Sequence, residues 1–325
     1  LAIGAVRIPG VELHHDSDVL VLGGAGVDTI VYVPELPLPF QDSYMVPAIE
    51  MRAGQTGDNV ALGLRALGLR TSHIDVLGDD REGELVRALH EAYGVPLLAV
   101  PTAAGTKRAV NLVDPAGRRL SLYDFSRGGD TDRLPAEVVA AHAAAARLVH
   151  VSITHPCQHA IDHLVGSALI STDLHNWDGE NPHHEAFAYR ADVVFLSATA
   201  LTDCPATMRR IIGKGRARIV VATAGAEGAF ALVRGEDEVR VFDAIPPDAP
   251  VVDSNGAGDA FVSGFLFGQL AGAPVDTCLR YGAIAGAHAC TVPSTRIDPI
   301  DRSTLLDRAD GARTAGSAPP PAGTR

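Results

Sequence analysis

Cysteine is scarce in this chain, with four residues in 325, and there is a single tryptophan. No pair among Cys157, Cys204, Cys278 and Cys290 has Cys-x-x-Cys spacing. They read as small hydrophobes in a reducing compartment. Aromatic residues make up 5%, too few to favour base-stacking on nucleic acid. Positive charge is also short: 27 Lys and Arg against 39 Asp and Glu leave a formal net charge of -12. That diffuse negative field excludes nucleic acid and anionic membrane surfaces as expected partners, while a local positive patch can still receive an anion. No apolar run reaches the roughly 18 residues that a membrane span needs. The segment LAIGAVRIPGVELHHDSD has no basic region followed by a long apolar stretch, so the cytoplasm is the expected location.

What is present is hydrophobic mass, 46% of residues, ample for one large core. Residues 1–17 read as an extension, 18–307 as the folded domain and 308–325, rich in Ala, Gly and Pro, as a loose tail. Val19–Gly23 reads as a buried strand meeting a turn, and GQTGDNVALGLRALG as a helix stopped at Gly68. HIDVLG suits a strand, EGELVRALHEAYG a helix, and the two alternating runs around DPAGR a hairpin. Prolines 34, 37, 39 and 47 interrupt the region from Val31 to Met51, where SYMVPAIEM suits an exposed strand. Beyond it RLVHVSI, SALISTDL, ADVVFLS and ARIVVATAG alternate with room for helices. This predicts an α/β fold: a mostly parallel central sheet with helices on both faces.

The strongest chemical signal is VVDSNGAGDAF, ending at Phe261. Apolar residues deliver the chain to Asp253, then small residues lead into a helix whose Phe261, Phe265 and Leu266 have helical spacing. Unpaired N–H groups at such a helix start can surround a phosphate. Asp259 at its edge suits proton abstraction from an attacking hydroxyl. The alternative is a glycine-rich helix entry with Asp259 as a cap. The segment is neither a GxxxxGK[ST] loop nor a GxGxxG fingerprint. Asp28, after the GGAG turn, suits either holding sugar hydroxyls or capping a turn. Asn59 suits either a polyol or the end of its own helix. His155, His159 and His163 recur every four residues, and His175, His183 and His184 flank Trp177 in a polar loop. Metal binding or plain surface histidines both remain open for the first set, approach to a ligand or a plain loop for the second.

Asp253-Ser254-Asn255-Gly256-Ala257-Gly258-Asp259, continued by Phe261 and Gly264, resembles the C-terminal signature of the ribokinase-like (PfkB) carbohydrate kinases. The resemblance spans about residues 18–300. It implies a Rossmann-like sheet of roughly nine strands and a small β lid from about 31–52 and 103–125, which in many members is also a homodimer contact. By it, Gly256, Ala257 and Gly258 form the anion hole, Asp259 is the general base, and Asp253 lies near a Mg2+ or monovalent-cation (K+) site. Asp28, Gly54, Gln55, Gly57 and Asn59 fall at acceptor-binding positions, with Gln55 replacing the usual glycine. Thr223, Gly225, Gly228, Asn255 and Ser197 fall near ATP. The family's Asn-x-x-Glu pair is replaced by Ser197 and Ala200, which puts the metal arrangement in doubt. Lys107, Arg108, Arg118, Arg119 and Arg127 lie in or near the lid, either exposed or facing an anionic group. The expected activity is ATP-dependent phosphorylation of a sugar, nucleoside or related polyol. A silent ligand-binding relative and a nicotinamide-dependent oxidoreductase are the alternatives. A clean dinucleotide-binding helix after GGAGVD is lacking, which weighs against the last.

Overall fold

The computed structural model describes residues 17–127, 131–164 and 168–315, with the side chains of 312–315 left aside. The extension expected over residues 1–17 therefore lies almost wholly outside the described residues. The first part of the chain forms β1 (Val19–Leu22), β2 (Val27–Tyr32), β3 (Ile49–Ala53), α1 (Thr56–Ala66), β4 (Thr71–Leu77), α2 (Arg81–Tyr93) and β5 (Leu97–Pro101). Then follow β6 (Arg108–Val113), β7 (Arg119–Tyr123), α3 (Ala136–Ala145), β8 (Leu148–Ser152), α4 (His155–Ala160), β9 (Leu169–Asp173) and α5 (Pro182–Ala188). The remainder forms β10 (Val193–Ser197), α6 (Cys204–Lys214), β11 (Ile219–Thr223), β12 (Ala229–Val233), β13 (Arg240–Phe242), α7 (Ala257–Leu270), α8 (Val275–Ala289) and α9 (Arg302–Ala315).

Nine strands form the main sheet in the order β13-β12-β11-β10-β9-β8-β1-β4-β5. Its pairs are parallel from β5 to β11, and β12 and β13 close the edge antiparallel. The continuous apolar run of β1 is explained by burial on both faces, and β8 is likewise buried along its length. Successive residues alternate between two cores. Leu20 and Leu22 join Val139, Ile161 and Phe187, whereas Val19 and Val21 join Leu62, Phe261 and Phe265. The helices on the second face include α1 and α7, which carry the two sequence features singled out above.

The smaller sheet has the order β3-β2-β6-β7. It starts at Val27, earlier than the expected lid boundary of 31, and the proline-broken stretch before Ile49 contributes no strand. Asp28 thus sits inside a lid strand and not in a turn. The C-terminal end also differs from expectation. Residues 308–315 complete α9, because Leu305 and Ala309 are spaced one helical turn apart and pack with Phe267, Ile284 and Ile300. Ala and Gly content suggested a tail, but the spacing of those two buried residues decided the outcome.

Candidate functional site

The carboxyl ends of β1, β8, β9, β10 and β11 all point to one edge of the main sheet, where open α/β sheets bind ligands. Two clefts meet there. The first, about 710 Å³, is lined by Asp28, Gln55, Asn59, Asp173, His175 and Asp259 among others. The second, about 650 Å³, runs between Thr223, Gly225, Gly228 and Phe242 on one side and Val251, Ala283 and Cys290 on the other. Ser254 and Gly258 line both, so the clefts join at the start of α7.

That start is built by its sequence. Gly256 is the N-cap of α7 with φ 78°, a left-handed conformation that glycine adopts without a Cβ penalty. Ala257 and Gly258 open the first turn, where backbone N–H groups lack helical partners. Asp253 is fully buried. One of its oxygens accepts the N–H of Asn255 at 2.8 Å, and the other accepts the N–H of Ser294 at 2.7 Å and its hydroxyl at 2.5 Å. Asp253 therefore ties two loops together. Asn255 accepts a hydrogen bond from Arg119 of β7, so the lid touches the loop directly.

Asp259 lies in the first turn of α7 and is 7% exposed. Burial pushes its carboxyl up to about 6, and this is opposed by the His175 charge and by the Asn59 amide, which donates to Oδ2 at 2.8 Å. Asn59 was expected among the acceptor ligands; it also holds this carboxylate. It reaches Asp259 because α1 packs closely on the turn after β1. A Cβ on Gly57 would come within 1.9 Å of the Gly23 carbonyl oxygen. The buried Asp58 fixes the same entry by accepting the N–H groups of Gly26 and Gln55, each at 3.1 Å, and pairing with His90 at 2.7 Å.

Asp28 faces the first cleft from β2. Burial raises its carboxyl, while Arg52 at 4.0 Å and a 3.3 Å hydrogen bond from Gln55 pull the other way. Gln55, which replaces a glycine of the expected pattern, thus points its amide at the Asp28 carboxylate.

Reading the sequence did not assign Asp173, and left His175 between approach to a ligand and a plain loop. Asp173 ends β9, and Nδ1 of His175 lies 3.4 Å from its Oδ2. Polar atoms of Asp173, His175 and Asp259 all lie within 4.8 Å of one another. The other histidine expectations turn out differently. His155 opens the six-residue α4 and His163 ends a separate 3₁₀ turn, so the three do not share one regular helix face.

Thr223, Gly225 and Gly228 line the second cleft as a group, whereas Ser197 lines neither cleft. The Ser197 hydroxyl caps the short turn after β10, with Thr199 Oγ1 at 2.8 Å. Ala200 ends that turn without a carboxylate, and the Asp203 side chain caps α6 by accepting the N–H of Ala206. Neither this turn nor the engaged Asp253 offers a free carboxylate to a divalent metal. In the lid, Lys107 pairs with Asp75 at 3.1 Å, Arg108 with Asp124 at 2.7 Å, Arg118 with Asp114 at 2.6 Å and Arg127 with Asp80 at 3.0 Å.

Comparison with known proteins gives a consistent result. The model of the pfkB family carbohydrate kinases matches residues 16–302. An acarbose 7(IV)-phosphotransferase of Actinoplanes sp. is 70% identical over 295 residues, covering 90% of this chain and 99% of the relative. The solved structure of a microbiome-derived acarbose kinase, Mak1, is 42% identical with a TM-score of 0.85, covering 91% of this chain and 99% of that one. The Arabidopsis thaliana ribokinase, solved with ribose and ATP, shares the fold with a TM-score of 0.73 at 20% identity, covering 90% and 99%.

Proposed function

The chain belongs to the pfkB family of carbohydrate kinases, and we propose that its acceptor is acarbose, phosphorylated at the 7(IV) position. It is an ATP-dependent phosphotransferase acting on a hydroxyl of a sugar or sugar-like molecule. Family membership implies that ATP acts together with Mg2+. The acceptor assignment rests on the two relatives named for acarbose, one at 70% and one at 42% identity. A first cleft of about 710 Å³ is in keeping with an acceptor of drug-like size.

The observation that carries the mechanism is the meeting of two clefts at the start of α7. We read the second cleft as the nucleotide site, with Thr223, Gly225 and Gly228 beside it, and the first as the acceptor site. Asp28, Gln55 and Asn59 orient the acceptor. Asp259 takes the proton of its hydroxyl as the oxygen attacks the terminal phosphorus. The N–H groups of Gly256, Ala257 and Gly258 balance charge on the transferred group. Mg2+ supplies charge neutralisation to the triphosphate when bound. With Ser197 and Ala200 at the turn after β10, we assign no side chain to hold it, and Asp253 serves as the loop anchor and not as a cation ligand.

The test is ADP release with ATP and Mg2+ over a panel of acarbose, ribose, fructose and nucleosides, with the product position read by NMR. Acarbose is expected to give the highest kcat/KM, with phosphate at the 7(IV) oxygen. A nucleoside outranking it would overturn the assignment in favour of nucleoside kinase activity. Failure of every acceptor would favour a silent ligand-binding relative.

We also read the lid as a homodimer contact. On its outer face one row joins Met51, Thr29, Val110 and Leu122, and the next joins Ile49, Val31, Leu112 and Leu120. Ile49, Met51, Leu120 and Leu122 are 42–66% exposed, an apolar surface larger than scattered single side chains would give. Leu122→Asp should convert a dimer into a monomer in sedimentation. A wild-type protein that sediments as a monomer at all concentrations would rule the contact out.

A further inference from the structure

The Ser197–Ala200 turn brings no charge to the transfer site, yet His175 stands there beside Asp259, with Arg119 of the lid also lining the cleft. β9 lies between β8, on the acceptor side, and β10 and β11, on the nucleotide side. Its carboxyl end therefore sits where the two substrates must meet. The chain leaves β9 through Asp173 and Leu174 and places His175 at φ 50°, the one non-glycine residue with positive φ among the described residues. Histidine tolerates this region better than most side chains, and a strained backbone of this kind persists where its surroundings hold it. Here they do. The His175 N–H donates to Asp173 Oδ1 at 2.8 Å, and its carbonyl accepts the N–H of Ser197 at 2.7 Å. The ring is thereby turned into the first cleft, about one-third exposed, between Asp173 and Asp259.

We propose that His175, braced by Asp173, is a positioning residue for phosphoryl transfer: its imidazolium stands against Asp259 and keeps that carboxylate available for the acceptor's proton. The proposal rests on the kinase reading of the cleft with Asp259 as base. In the step itself the hydroxyl proton passes to Asp259 and the hydroxyl oxygen bonds to the terminal phosphorus. The bond from that phosphorus to the bridging oxygen breaks, and ADP leaves with the electron pair. His175 neither gains nor loses a proton.

Burial alone would lower the His175 imidazole, but the charges of Asp173 and Asp259 hold it up at about 9. Burial of Asp173 is likewise outweighed by His175, so its carboxyl stays below the ordinary range. The other charged or titratable groups facing the pair are Arg119 from β7, His150 from β8 and His184 from α5. Burial pushes His150 down to about 4 and also lowers His184, so both are neutral at pH 7 and leave His175 as the imidazolium of the set.

Two variants test this. His175→Asn removes the charge with a residue that accepts positive φ, and Asp173→Asn removes the brace. In His175→Asn the acid limb of kcat/KM should move to higher pH by about one pH unit, because Asp259 loses a cation that favours its ionised form, while KM for ATP holds. In the ligand-free protein, NMR should find one imidazole titrating near 9 that disappears in His175→Asn and titrates lower in Asp173→Asn. An unmoved acid limb with lower turnover, or His175 titrating at its ordinary value, would overturn the proposal. A wild type inert toward every acceptor would sink the kinase reading instead. The NMR titration does not depend on any acceptor, so the two failures are told apart.

Discussion

Asp259→Asn should lower turnover at least about 100-fold, the lower end of what a general base contributes, while ATP binding stays near the wild-type value. The side chain is buried in the first cleft and fixed by the 2.8 Å bond from Asn59. An Asn there keeps the shape and loses the proton acceptor. Because Asn59 offers an oxygen as well as an amide, it can turn to satisfy the new side chain, so the fold has little reason to fail. The pH dependence has a definite sign. Burial holds the Asp259 carboxyl up at about 6, and the base form exists above that value. Wild-type kcat/KM should fall as pH drops through about 6, and in Asp259→Asn this limb should be absent. Steady-state rates across pH, with calorimetry for ATP, decide it. Undiminished turnover, or a variant that keeps the acid limb, would remove Asp259 from the chemistry.

The phosphate end of the site was legible because its parts are contiguous. Small residues from Ser254 to Gly258 and the helical spacing of Phe261, Phe265 and Leu266 place an open helix start and a carboxylate within one turn. The parallel core of the sheet was legible for a related reason, whereas its count of nine strands came from the family resemblance. Strands buried on both faces read as near-continuous apolar runs, and β1, β10 and β11 show them. Asp173 was not assigned and His175 was left between a ligand approach and a plain loop, because their meaning depends on β9 lying beside β8 and β10, which no local pattern encodes. A signal did exist: an acidic residue ending a buried strand, with His175 and Asn176 two and three residues on. Asn59 shows a different limit. Its place at a helix start was evident, but its bond to Asp259 depends on α1 packing against α7. Asp253 was placed near a cation by resemblance, whereas its two oxygens are taken by Asn255 and Ser294. Ser294 lies on the loop after α8, which no motif tied to the phosphate end.

Asp28→Ala should weaken acceptor binding by about 10- to 100-fold, the loss expected when one or two hydrogen bonds to a charged group disappear. Asp28 is 7% exposed on β2, and its remaining open side faces the first cleft. Arg52 and Gln55 hold the carboxylate from the protein side. Those contacts fix its direction, so binding a sugar costs little ordering of this side chain. Its burial raises the carboxyl, and removal of either partner would raise it further, which makes Gln55 and Arg52 part of the acceptor site's charge balance. The second cleft, which we read as the nucleotide site, does not include Asp28. KM for the acceptor should therefore rise with kcat changed little, and calorimetry with ATP should match the wild type. Asp28→Asn should fall between, since an amide keeps one acceptor oxygen in place. Equal losses for acceptor and nucleotide, in a variant that melts like the wild type, would show that Asp28 shapes the lid and does not hold the sugar.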